Sequence, residues 1–336
     1  MAALNPGSGT TDPVARYLAT FERLRARKRW STDTATFRFV ALALGAVGAE
    51  IEHDRLEEVA KALRKRARWT SPLKSEIRYV VAAMILRRGL SPRDVHERVF
   101  ETRDAFKAQR LPSRGTGPTL AALLLALRSE GRPVPSRQVE RLASIYRRWR
   151  KDHFWLTSAN DLPAAALHAG RNEAVEVVTA DVERAYERLR ELGFRRGNPL
   201  QLVSHLLAVD PRGTDAAVQR FAVVAERLRG AGERVGSGRY DEVALLALTQ
   251  ETPERAVRRV LAYRDRLRAA KPRPSKDLAF SLAAGIELAE DSARAGQDGA
   301  GDLAALQAIR DILDAQQAAT IAAISASSAA ASSSGS

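Results

Sequence analysis

The sequence predicts an all-α protein, an α-solenoid of about seven HEAT- or armadillo-like helical hairpins with a period near 40 residues. Three observations predict it. Apolar residues recur at helical spacing along almost the whole chain, while alternating runs rich in Val, Ile and Thr are absent. Large apolar residues stand at Phe39, Tyr79, Leu120, Leu162, Leu200, Tyr240 and Leu278, at intervals of 40, 41, 42, 38, 40 and 38. A second column, Leu24, Leu63, Phe106, Trp149, Leu189, Leu228 and Leu267, runs at intervals of 39, 43, 43, 40, 39 and 39. Two columns sharing one period mean two helices per repeat, each pair burying its apolar face against its neighbours.

Residues 1–12 are polar and rich in Gly, Ser and Thr, and are expected to be disordered. A leading helix is expected over about 13–30, carrying Leu24. Seven hairpins then follow. Breakers separate their helices at Gly89, Gly131-Arg132-Pro133, Gly170, Gly197-Asn198-Pro199, Gly230 to Gly238 and Pro272-Arg273-Pro274, leaving helices of about 10 to 18 residues. Four residues after the first column come Ala43, Ala83, Ala166, Ser204 and Ala244 in five of the seven repeats. Positions i and i+4 share a helix face, so each large residue sits beside a notch that admits a neighbouring helix. One solenoid unit over 13–325 is expected, an elongated, curved rod about 60 to 70 Å long at helix spacings of 8 to 10 Å. Beyond Gln316-Gln317 the last helix is expected to fray into a disordered Ala/Ser tail, 326–336, with Ile321 and Ile324 just before it.

The chain of 336 residues contains no cysteine, which excludes disulfides, thiolate zinc sites and cysteine nucleophiles. Its 54 basic side chains are 46 Arg and 8 Lys, and the formal charge is +14. That excess is uneven: residues 71–155 carry 18 Lys and Arg against 8 Asp and Glu. The opening residues lack an export signal and no apolar stretch reaches the roughly 20 residues of a membrane span, so a cytoplasmic location is expected.

Three segments carry a resemblance. Lys151–Leu167 (KDHFWLTSANDLPAAAL), Phe194–Leu206 (FRRGNPLQLVSHL) and Gln316–Gly335 (QQAATIAAISASSAAASSSG) together resemble the bacterial domain-of-unknown-function family 4003, in the same order and over nearly the full length. The resemblance implies an intracellular bacterial protein built as one unit. It brings no catalytic residue with it.

Candidate site residues are polar groups that stand where the repeat asks for apolar ones, because a helical core tolerates them only when they are paired. Five residues after the first column the chain reads Leu44, Met84, Leu125, Leu167, His205, Leu245 and Ala283, so His205 is the departure. Ser204, Gln201 and Asn198 stand beside it or one to two turns earlier. One repeat back, His153, Thr157, Ser158, Asn160 and Asp161 precede a helix. These nine residues form a candidate polar cluster, read either as a recognition site or, for Asp161-Leu162-Pro163, as a helix cap. His153, Asp161 and His205 are chemically adequate for a metal or a general base, but no HExxH spacing, Gly-x-Ser-x-Gly turn or Gly-rich phosphate loop accompanies them. No cofactor, metal or catalytic residue is therefore assigned.

A second constellation is basic. Arg87, Arg88, Arg147, Arg148, Arg150 and Lys151, with Trp155 interleaved, could hold nucleic-acid phosphates and stack on bases, whereas Trp149 belongs to the core column. A cation also follows each second-column residue: Arg25, Arg64, Lys107, Arg150, Arg190, Arg229 and Arg268. Five have an acid three positions earlier, which predicts local pairing at helix C-termini. Three functions follow in order: a non-enzymatic scaffold whose concave face binds a protein or peptide, a nucleic-acid module using the basic half, and an enzyme or ligand site at the junction of repeats 4 and 5.

Overall fold

The computed structural model describes residues 12–26, 34–45, 53–67, 71–152 and 157–297. Among them are fourteen α-helices, three short 3-10 turns and no strand. In chain order the helices are α1 (Pro13–Ala26), α2 (Thr34–Gly45), α3 (His53–Arg66), α4 (Ile77–Arg87), α5 (Pro92–Ala108), α6 (Thr116–Arg128) and α7 (Ser136–Asp152). Then come α8 (Leu162–His168), α9 (Val175–Glu191), α10 (Asn198–Leu207), α11 (Thr214–Gly230), α12 (Tyr240–Leu248), α13 (Pro253–Ala269) and α14 (Lys276–Gln297). The expected tail 326–336 and most of 1–12 lie outside the described residues.

The two sequence columns divide the helices into two kinds. Even-numbered helices hold the first column and are largely apolar and buried; in α6 every residue from Gly117 to Leu127 is buried. A helix apolar all round belongs inside. Odd-numbered helices hold the second column on one stripe and expose the rest. Thus α7 buries Val139, Leu142, Ile145, Tyr146 and Trp149 while Arg147, Arg148 and Arg150 face outward. All seven second-column residues are buried, as are six of the first, with Leu278 partly buried. Buried apolar side chains from Val14 to Leu288 form one continuous cluster.

Each odd helix packs on the even helix that follows it at least as extensively as on any other, and each pair packs on the next. Among the described residues α1 packs on α2 as the first member of a pair, and the second helix of the expected seventh hairpin would fall beyond 297, outside the described residues. The expected elongated rod is corrected, because α1 touches α13 and α14, and α2 touches α14. Arg16 pairs with Glu290 at 2.5 Å, Arg266 pairs with Asp12, and Arg38 donates to the Pro272 carbonyl. Gly285 of α14 sits so close to Leu42 of α2 that a Cβ there would lie 2.6 Å from its Cδ2. The array closes into a ring.

A ladder of cations joins the inner helices at their C-terminal ends. A helix leaves its last four carbonyls without intrahelical donors, and positive charge is favoured there. Arg88 donates to Leu127 O at 3.3 Å, Arg128 to Ala166 O at 3.1 Å, Arg171 to Ala208 O at 2.7 Å and Arg212 to Ala247 O at 2.8 Å. Each guanidinium reaches from one pair to the inner helix of the next, which is why the arginines recur with nearly the repeat period. Of the five local pairs expected on outer helices, Arg25–Glu22, Lys107–Asp104 and Arg190–Glu187 form. Asp265 pairs instead with Arg264 at 2.6 Å.

Candidate functional site

A cavity of about 470 Å³ opens in the wall of the ring between the outer helices α7 and α9, with α10 as its floor. Its place follows from local sequence. The helix α8 is only seven residues long and touches α10 briefly, so α10 is left facing the gap between the two outer helices. From α10 come Gln201, Ser204 and His205, all buried; from α7 comes Trp149, turned inward by its column. The α9 wall supplies Val182 and Tyr186 inside and Glu176 and Glu183 toward the mouth.

Three aromatic rings meet at the floor. The Trp149 ring lies 4.2 Å from that of His205, tilted by 46°, and 5.6 Å from that of His168, edge-on at 83°. His168 is fully buried and its Nε2 is 3.1 Å from the His205 carbonyl oxygen. A carbonyl only accepts, so Nε2 carries the hydrogen and Nδ1 is the bare nitrogen. Burial holds the His168 pKa well below the ordinary 6.5, and the neighbouring His205, Arg171 and Arg128 act in the same direction. The His168 imidazole is therefore neutral at pH 7. Ser204 Oγ donates to Leu200 O at 2.8 Å within its own helix.

Trp149 Nε1, on a residue 3% exposed, and Gln201 Oε1, on a residue 6% exposed, are buried beside this cavity and make no hydrogen bond. Each costs about 1 to 3 kcal/mol if left unpaired. Rim charge is acidic, with Asp152, Glu176 and Glu183 against Arg148, and Arg148 Nε is already 2.7 Å from Asp152.

The sequence candidates divide accordingly. Gln201, Ser204 and His205 line the cavity. Ser158 and Asp161 cap the turn Ala159–Asp161 before α8: Asp161 accepts from Ser158 N at 2.7 Å and Ser158 Oγ accepts from Asn160 N at 3.2 Å. Burial raises the Asp161 pKa, an effect that its bonds to Ser158 oppose. This turn packs tightly on α6, where a Cβ on Gly117 would lie 2.2 Å from Ala159 O. Thr157 is buried beside it and Asn198 is exposed at the start of α10. Since Asp161 lies at the opening of α8 and His168 at its end, the cap and the cavity occupy opposite ends of the inner helices. His153 and Trp155 lie outside the described residues. No group of three metal-ligating side chains converges among the described residues.

In the basic constellation, Arg87 donates to Ala43 O at 3.1 Å and Arg88 to Leu127 O, so both cap inner helices. Arg147 donates to Gln109 O at 2.6 Å, and Arg150 and Lys151 are exposed on α7. Sequence reasoning missed His168, Glu176, Glu183 and Tyr186. A signal for His168 existed: one position beyond the His205 column the chain reads Gly45, Ile85, Ala126, His168, Leu206, Leu246 and Ala284.

Fold and site together define an all-helical protein closed into a ring, with a cavity of small-molecule size in its wall. The chain belongs to the family described as Protein of unknown function (DUF4003), whose model matches residues 20–318. It is similar to the Uncharacterized protein YeaA of Bacillus subtilis (strain 168), 23% identical over 207 residues. The match covers 59% of this chain and 60% of that relative's length. No solved structure matches. Among the described residues no helix is long and apolar enough to cross a membrane.

Proposed function

We propose that this chain is a helical-repeat protein of HEAT-like pairs bent into a ring, acting in the cytoplasm, and that it binds a small organic molecule in the cavity between α7, α9 and α10. The observation that carries the reading is a cavity of about 470 Å³ lined by the buried polar side chains of Gln201, Ser204 and His205 beside Trp149. Pockets of this size with a few placed polar groups are how proteins take small ligands. Binding is favoured over turnover because the Ser204 hydroxyl is committed to Leu200 O.

The scaffold reading draws on an extended concave face. The inner helices α6 and α8 are buried along nearly their whole length and offer less of such a face than the outer helices do. The nucleic-acid reading draws on free cations, and Arg87, Arg88, Arg147 and Arg148 already bond within the chain.

Native mass spectrometry after incubation with a small-molecule extract of bacterial cells tests the proposal. Wild-type protein is expected to hold a non-covalent adduct that Ala180→Trp, which fills the cavity from α9, does not hold. The same adduct on both proteins, or none on either, overturns it.

A further inference from the structure

Alternating outer and inner helices leave two sets of linkers, one running from outer to inner helix and one returning. Contacts between successive pairs gather the first set on one face of the ring. Arg147 reaches Gln109 O, just past α5, at 2.6 Å, Arg195 N donates to Tyr240 Oη at 3.0 Å, and Arg239 pairs with Asp277 at 2.6 Å. Arg38 continues the series across the closure by donating to the Pro272 carbonyl.

The two sets differ in charge. Described outer-to-inner linkers hold nine Lys and Arg against three Asp and Glu, whereas the returning ones hold four of each. All three acids of the first set are engaged. Thr36 Oγ1 donates to Glu76 at 2.6 Å, Asp161 closes its turn with Ser158, and Glu233 is buried among Arg239, Arg264 and Lys276. Six of its cations are not: Arg110, Arg114, Arg195, Arg196, Arg234 and Arg273 are exposed, and among the described residues no side-chain bond holds them. On the opposite face Arg88, Arg171 and Arg212 donate to carbonyls of the ladder, and Arg132 pairs with Glu130 at 2.8 Å. Composition does not separate two faces of one chain. Helix ends do not account for the difference either, because five of the six arginines lie four or more residues past their helix, where the macrodipole no longer favours a cation.

An arginine face suits a run of phosphates. Guanidinium forks match phosphate geometry, and nucleic-acid interfaces are polar and strongly positive. A protein interface asks instead for a core depleted of charge, and a membrane surface for apolar side chains that enter the headgroup layer. Among the described residues Leu192, 46% exposed, is the one large exposed apolar side chain on this face. We infer that the outer-to-inner linker face docks the phosphate backbone of a nucleic acid, through contacts that do not read sequence. The cavity between α7 and α9 takes no part in it.

Fluorescence anisotropy of the full-length protein with a labelled DNA duplex, RNA duplex and single-stranded RNA, at about 50 and 200 mM salt, tests the inference. Wild type is expected to bind, with affinity falling at least about 30-fold over that range. Arg195→Gln/Arg196→Gln and Arg110→Gln/Arg114→Gln are each expected to weaken binding about 5-fold or more at the lower salt, and to reduce the slope of log affinity against log salt by about 1 to 2. Arg132→Gln/Arg137→Gln, which removes the same charge from the opposite face, is expected to change affinity less than about 2-fold. Circular dichroism checks each fold, and either linker variant decides the matter if the other misfolds. Vesicles of phosphatidylglycerol form a parallel arm. No binding to any of the three nucleic acids at the lower salt, equal losses in all three variants, or binding to the vesicles alone would overturn the inference. With linker-specific loss, the tightest of the nucleic-acid arms names the form that docks.

Discussion

At the scale of single residues, the cavity floor is a place where the repeat departs from its own rule. His168 and His205 stand where five or six other repeats carry aliphatic or small groups, and Trp149 covers both rings. The His168 pKa lies well below 6.5 in the folded chain, for a group that takes its proton near 6.5 when unfolded. As pH falls below about 6.5 the unfolded chain gains a proton that the folded chain refuses, so this group lowers stability toward acid. His96, held at about 4 by burial and by Arg66, has the same sign. Glu287, raised to about 7 by burial, has the opposite one. Those terms cancel in a comparison of wild type with His168→Gln, which keeps a donor for the His205 carbonyl and does not titrate. Between pH 7 and pH 5 the wild type is expected to lose up to about 2 kcal/mol relative to that variant. Urea denaturation at each pH measures the difference, and parallel curves would contradict the assignment.

Among elements, what was legible in the sequence was what periodicity encodes. Both columns landed on helices, one kind inside and the other outside, because burial on one stripe or on all sides leaves a mark in every turn. A cap at Asp161 was legible as an alternative, since Asp ahead of Leu162-Pro163 favours a helix start; its side chain instead closes the turn before α8 together with Ser158, whose part was not read. The arginine ladder was not. Charge counting reads Arg88 and Arg128 as surface cations, whereas their partners are carbonyls of the next pair, some 38 to 39 residues away in sequence. Such backbone acceptors have no residue type and leave no sequence signal. The ladder's energetic weight is testable: Arg128→Met is expected to cost about 1 to 3 kcal/mol by denaturant titration, because it removes a charged donor from the carbonyls of Ala166 and Leu167. Arg128→Lys should recover only part, since one ammonium does not reproduce the planar fork. An unchanged midpoint in Arg128→Met would show that the ladder contributes nothing to stability.

For the whole molecule, the sequence specified pairs and period but not curvature. Curvature is the sum of small rotations between successive pairs, and closure depends on contacts between residues far apart in the chain, such as Arg16 with Glu290 and Leu42 with Gly285. No local pattern carries that information. Closure is the central claim because it joins the first and last helices and sets the cavity over α10 in the wall between α7 and α9. The chain has no cysteine, so spin labels can be placed selectively at Asp12→Cys and Arg266→Cys, two residues that pair across the closure. An open stack of seven pairs would hold these positions about 50 Å apart at helix spacings of 8 to 10 Å. The ring predicts one narrow distance distribution at well under half that separation in solution by pulsed electron resonance, and a distribution centred near the open-stack value would contradict it.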